Sequence, residues 1–310
     1  MTDWAWIPIT VAAAFFQSLR TALQKFLKGR LSTVGSTFTR FAFGVPFAAA
    51  YLAVLVLGAG WELPRPDASF ALPVLAGAAA QVVGTALLLR VLDLRNVPVG
   101  VAYTKTEVVQ AAVFGFVFLD DALSAWAWAA VALGTVGVML ISLQRSDRPL
   151  AALAAGLGSP AALMGMASGA GFAVAAVGFR GASLSLGHES ALVAAAYTLV
   201  WATALQTMMV AAWLALREPE QFGRVARAWR PSLAAGLAGV IGSGCWFTAM
   251  TLQSVAHVRT LGLVELVFSF AMSALWFRER TTANEAAGVA LLVAAIALIL
   301  NAPAAGLPVP

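Results

Sequence analysis

Charge is what this chain has least of. Only 11% of its 310 residues are charged, against 61% hydrophobic, and the mean hydropathy is +0.87. A soluble domain carries roughly 25% charged residues, so there is too little polar surface here to coat a globule in water. Cysteine occurs once, at Cys245, which excludes an intramolecular disulfide. Histidine occurs twice, at His188 and His257, too few for a histidine-rich metal site. HExxH, Gly-x-Ser-x-Gly and phosphate-loop patterns are missing, as is the nucleotide domain that ATP-driven transport requires. The sequence therefore points to no enzyme, no metal and no cofactor. Net charge is +5, but the basic residues fill short gaps between apolar runs and do not alternate with aromatics on a polar face. That pattern argues against nucleic acid and for membrane topology and headgroup contact.

Long apolar runs are what the chain does have. A membrane helix needs about 20 mostly apolar residues. Charge-free runs cover 4–19, 41–61, 68–89, 122–144, 159–179, 190–216, 231–256 and the residues from 286 onward. Two more, 97–119 and 260–277, are interrupted only by central charges: Lys105 and Glu107 in one, Glu265 in the other. The fold class is thus an all-α membrane protein with ten predicted transmembrane helices. Met1-Thr2-Asp3-Trp4 lacks a basic n-region and a cleavage site, and reads as the start of the first span. Pro64 and Pro66 end the second helix and Asp67 caps the third. Arg145 to Pro149 is the expected boundary between halves. Residues 218–230, with Arg224, Arg227 and Trp229, read as a short stretch lying on the headgroups. Asn284 is an expected N-cap for the last helix.

The two halves match. At a constant offset of 158 residues, Glu107 falls on Glu265 and Asp121 on Glu279. A carboxylate at bilayer depth costs roughly 2.5–3.5 kcal/mol on the insertion scale and usually serves function. Five helices per half means that the second copy enters from the opposite side, so the repeats are inverted about an axis in the membrane plane. That symmetry predicts that Glu107 and Glu265 approach a shared cavity, where low dielectric and proximity let one of them take up a proton near neutral pH. A structural role, each neutralised by an internal partner, is the alternative. Small residues at Gly84/Gly242 and Ala86/Gly244 also coincide and favour close helix approach. Gly165 and Gly169 form a GxxxG that is either a packing motif or plain glycine richness.

Other polar residues surround these two. Lys105 lies two residues from Glu107 and so points to another side of the helix; it would bind a substrate carboxylate or serve as counter-ion to Glu265. Tyr103 shares a face with Glu107, and His257 with Glu265; both either extend the polar path or sit at the interface. Arg259 is expected at the interface. Gln17, Thr21, Gln24 and Lys28 form a stripe on helix 1 that Gln81 would join, lining the cavity or facing neighbouring helices. Trp246 and Trp201 are deep enough to stack on an aromatic or cationic solute, or to pack. If the amino terminus were cytoplasmic, the cytoplasmic gaps would carry only Arg65, Arg180 and Arg259, with most other basic residues opposite. Positive charge prefers the cytoplasm, which predicts outward termini.

Several residues together resemble the drug/metabolite transporter superfamily, specifically its EamA-type ten-helix members. They are a basic residue late in helix 1 (Lys25), an arginine opening helix 2 (Arg40, between Thr39 and Phe41), and an acidic residue after the fourth helix of each repeat. That last feature appears at Asp120-Asp121 and at Glu279. The stretch Trp246-Phe247-Thr248-Ala249-Met250 resembles the end of the family's eighth helix. The resemblance implies EamA-like repeats at 5–143 and 160–301, with helices 5 and 10 peripheral. It implies a multi-pass secondary transporter of the bacterial inner membrane that moves a small metabolite, often outward, by rocking its halves. Many members have cytoplasmic termini, opposite to the charge count. The family has no uniform pair of mid-membrane glutamates, so Glu107 and Glu265 stand on this sequence alone. Proton coupling and homodimerisation are left open, as are two other functions: a membrane scaffold without transport, and a flippase for a lipid-linked substrate.

Overall fold

The computed structural model describes residues 4–27, 30–94, 97–143, 149–268 and 282–303. Among them every regular element is a helix. In chain order these are α1 (Trp6–Leu27), α2 (Thr33–Ala42), α3 (Gly44–Ala53) running into a π-helical turn (Val54–Gly58), α4 (Ala68–Leu92), α5 (Val97–Thr104), α6 (Glu107–Leu119) and α7 (Ala125–Ser142). After them come α8 (Pro149–Gly156), α9 (Pro160–Ser185), α10 (Ala191–Arg217), α11 (Glu220–Arg227), α12 (Trp229–Leu252), α13 (Val255–Gly262) and α14 (Ala283–Leu300). The expected half boundary at 145–148, and Glu279 with its neighbours, lie outside the described residues.

The helix starts follow capping chemistry. Asp67 accepts the Ser69 amide at 2.9 Å and the Phe70 amide at 3.3 Å. With the Ser69 hydroxyl and the Phe70 amide donating to it, its carboxyl is held below the usual carboxylate range. Ser32 and Ser124 cap α2 and α7 in the same way. At α14 the expectation of Asn284 is corrected. Thr282 is the N-cap and Glu285 closes a capping box with it, which leaves Asn284 inside the first turn.

Among the described residues, seven helical segments are long and apolar enough to cross a membrane: Thr33–Gly58, Ala68–Leu92, Ala125–Ser142, Pro160–Ser185, Ala191–Arg217, Trp229–Leu252 and Ala283–Leu300. Helix α1 has the length but carries Gln17 and Arg20, and the expected span 97–119 is divided between α5 and α6. Outward-facing positions are apolar in their turn, as a hydrocarbon solvent requires: Leu57 is 84% exposed, Leu216 82% and Phe118 71%.

The chain forms two compact units, and neither is a sequence half. The first comprises residues 1–82 and 178–253, the second 83–177 and 254–310. In the first, α1 packs along α12, and α10 packs on α2, α3 and α12. Its core gathers Leu27, Leu31, Phe41, Leu214, Val225 and Ala235 at the end where α1 and α10 finish and α2 and α12 begin. In the second, α7 runs along α14, where Gly137 and Gly288 face each other. A Cβ on Gly137 would stand 2.8 Å from the Gly288 carbonyl oxygen. A second core cluster there joins Val108 and Ala112 of α6 to Ala256, Leu263 and Leu292.

Candidate functional site

The glutamate-bearing helix of the first repeat is interrupted one step before its glutamate. α5 stops at Thr104, Lys105 and Thr106 form a tight turn, and α6 restarts at Glu107. The local sequence explains the break. The Lys105 and Thr106 amides reach back three residues, to Ala102 and Tyr103, at 3.1 and 3.2 Å. The hydroxyls of Thr104 and Thr106 donate to the Gly100 and Tyr103 carbonyls at 3.1 and 2.6 Å. Threonine hydroxyls that bond nearby carbonyls compete with the regular ladder. The Gln110 side-chain amide donates to Thr106 Oγ1 at 2.8 Å and to the Met166 carbonyl of α9 at 3.3 Å. A polar seam therefore runs from the break to a neighbouring helix.

This seam is possible because α9 comes unusually close. Gly165 lies so near the Gly100 carbonyl that a Cβ would collide with it, and at Gly169 a Cβ would stand 2.8 Å from Thr104 O and 3.2 Å from Glu107 N. Of the two readings of this GxxxG, packing is the one realised.

The second repeat carries a break at nearly the matched place. α13 ends at Gly262, the Leu263 amide bonds Thr260 O at 3.2 Å, and helix resumes over residues 264–268 with Glu265 in its first turn. In both copies the carboxylate thus follows the restart of a half-helix, whose exposed amides and positive dipole end favour negative charge.

Glu107 has a partner. Arg259 Nη1 stands 3.2 Å from Glu107 Oε1, with the two side chains 19% and 17% exposed. The expectation that Arg259 is interfacial is therefore corrected. It sits in the last turn of α13, at the negative end of that half-helix, and meets a carboxylate at the positive end of another. The residue matched to Arg259 in the first repeat is Val101, so the pair has no symmetry mate. Sequence reading missed it because a basic residue four positions into a helix looks like an anchor until its neighbour is known.

The remaining predicted residues divide between the two units. In the second, Lys105 is half-buried in the turn between α5 and α6. Tyr103 is buried, and its hydroxyl donates to Leu153 O of α8 at 2.9 Å, tying α5 to that connecting helix. Its hydroxyl is thus committed away from Glu107. His257 lies in the first turn of α13, its Nδ1 at 2.7 Å from the hydroxyl of the N-cap Ser254. Glu265 is half-buried, and its neighbours Leu266 and Val267 pack on the same cluster as Val108.

Gln81 and Trp246 belong to the first unit. Trp246 Nε1 donates to Gln17 Oε1 at 3.1 Å, and Gln81 Oε1 accepts from Gln206, a fully buried amide on α10 that sequence reading passed over. Trp246 thus packs with its N–H satisfied, while Trp201 is 43% exposed on an outward face. Of the proposed helix 1 stripe, Gln17 faces α12; the side chains of Gln24 and Lys28 lie outside the described set. Arg180, counted as a gap residue from sequence, sits inside α9 and donates to the carbonyls of Met250 and Gln253 at the end of α12.

Helices of this length and apolarity define the class of multi-pass membrane proteins, in which a shielded charge at a helix interruption is a candidate functional site. The comparisons give the family. The profile of the EamA-like transporter family matches residues 4–143 and again 159–301, and this chain belongs to that family. No curated protein matches it. Twenty-eight solved chains do. One, described only as "Crystal structure of protein", is similar over 99% of this chain and 100% of its own, at TM-score 0.70 and 17% identity, a likeness of fold.

Proposed function

We propose that this chain is a secondary active exporter of a small metabolite in a bacterial inner membrane. It would work by alternating access, with ten spans in two inverted five-helix repeats at 5–143 and 160–301. Glu107 and Glu265 would be its proton- or substrate-binding carboxylates, and its termini would face outward by the charge count. The observation that carries this reading is the shielded Glu107–Arg259 pair beside an interrupted helix. A charge pair at such depth is costly unless it is used.

The chemistry follows from the pair. Protonating Glu107 discharges it and leaves the Arg259 guanidinium able to take an acidic group of the solute by a bidentate contact. Losing that group returns Arg259 to the carboxylate as the proton leaves. Turns such as Lys105–Thr106 can absorb the accompanying backbone rotation.

The test is a solute panel in proteoliposomes with and without an imposed proton gradient, run on wild type, Glu107→Gln and Glu265→Gln. Expected is flux driven by the gradient in wild type and uncoupled in both variants. Wild-type flux that ignores the gradient removes proton coupling. No flux of any solute returns the chain to the scaffold reading.

A further inference from the structure

At the end of the first unit opposite Leu27 and Leu214, two connections meet through one imidazole. The Ser190 amide donates to His188 Nδ1 at 3.0 Å, and His188 Nε2 lies 3.0 Å from the Glu62 carbonyl oxygen. The Trp61 ring packs edge-on against the imidazole, with centroids 5.9 Å apart. These partners fix the proton. An amide N–H only donates, so Nδ1 carries no hydrogen; a carbonyl only accepts, so Nε2 carries one. Only the neutral Nε2–H tautomer makes both bonds.

The local sequence builds this turn. Gly187, at φ +56°, closes α9 in the left-handed conformation, and its amide donates to Leu184 O at 3.1 Å. His188 is thereby brought back onto Ser190, the buried N-cap of α10, whose own side chain makes no cap bond. Across from it, Pro64 and Pro66 stiffen the connection that carries Glu62. The helices beneath are tied to one another. The Ser183 hydroxyl of α9 donates to Thr198 Oγ1 of α10 at 3.0 Å, and the Phe70 ring of α4 meets the Tyr197 ring of α10 at 5.4 Å.

The charged residues of the two connections are Glu62, Arg65, Asp67 and Glu189. Arg180, the one charge on α9, is turned to the carbonyls of Met250 and Gln253. α4 and α10 carry their charges at their far ends, Arg90 and Arg217, and α3 carries none.

We propose that His188 is a pH-sensitive latch, which couples the α3–α4 connection to the start of α10 while neutral and uncouples them when protonated. Histidine is the side chain that ordinarily changes charge between pH 5 and 8. A proton added at Nδ1 sets two N–H donors face to face and puts positive charge at the positive end of α10. The buried Ser190 amide then has no acceptor there, which is costly, so the turn at 186–189 leaves the start of α10. The Nε2–H bond to Glu62 survives the proton, and His188 stays with the α3–α4 connection. α1 begins at this same end, so the latch answers to pH on the amino-terminal side.

The experiment uses the full chain in detergent, as wild type and His188→Asn. The chain has two histidines, so isotope-labelled histidine gives two sets of ring signals, and the set missing from His188→Asn belongs to His188. Expected is the neutral Nε2–H tautomer at about pH 7.5 and the imidazolium at about pH 5. Amide exchange over residues 186–192, corrected for the intrinsic effect of pH, should be about tenfold less protected in wild type at the lower pH. An asparagine oxygen accepts the amide two residues on at any pH, so His188→Asn should keep the same protection at both. An Nδ1–H tautomer at the higher pH, or equal wild-type protection at the two, overturns the proposal. So does a loss of protection in His188→Asn as large as in wild type, which would place the titrating group elsewhere. Should His188→Asn fold poorly, the wild-type tautomer and exchange decide, with the signals assigned from His257→Asn.

Discussion

The segment from Val97 through Glu107 and its repeat mate from Val255 through Glu265 differ in charge and not in architecture. Each is an eight-residue helix, a one- or two-residue interruption and a restart that begins with a glutamate in its first turn. Yet the second copy has Arg259 where the first has Val101, and the first has Lys105 where the second has Leu263. Duplication preserved the backbone device that places a carboxylate at a helix start. The cation that answers it comes from the other copy, so the ion pair stitches the two repeats together inside one compact unit.

That contrast can be broken most directly at Arg259. Arg259→Val makes the two copies alike at the matched position and leaves Glu107 without its cation. The expected cost is about 3–5 kcal/mol, the usual penalty for orphaning one member of a shielded pair. It is read as lowered thermal stability in detergent. Adding Glu107→Gln to that variant should restore most of the loss; a double variant no better than the single would mean that the charge pair is not what the arginine supplies.

A second contrast lies between glycines. Gly165→Ala pushes a methyl group into the Gly100 carbonyl and should cost about 1–3 kcal/mol by overpacking. Gly244→Ala meets nothing nearer than Leu199 at 3.6 Å and should be close to neutral. Equal melting shifts for the two would show that α9 is free to back away from the break.

The smallest effect compares a carboxylate at a helix start in water with one at depth. Asp67 is exposed, and its folded-state pKa is depressed by the Ser69 and Phe70 donors. Its contribution is therefore complete above the unfolded value of about 3.9 and lost as pH falls through the lower folded value. Amide exchange at the first turn of α4 should differ between wild type and Asp67→Ala at pH 6, and the difference should vanish in strong acid. A difference that persists unchanged into strong acid would mean the cap does not act as a carboxylate.

Much of the bundle was legible in the residues. The lack of charge forced a membrane solvent, the apolar runs located the helices, and the shared offset exposed the duplication. The misreadings have separate origins. Arg180 was counted as a gap residue because a charge ends an apolar run, whereas in the structure it lies inside α9. Asn284 lost to Thr282 because a cap is chosen by which hydroxyl and carboxylate can close a box, and Glu285 stands three residues after Thr282.

By itself, then, the sequence determined the solvent, the helical period and the two carboxylates, because hydropathy and repetition are properties of residues in order. Only the tertiary structure decided that Arg259 answers Glu107, that Gly165 admits a backbone, and that His188 reaches Glu62. Those partners are 152 residues apart in one case and 126 in another, and no local pattern encodes which distant side chain will fill a space.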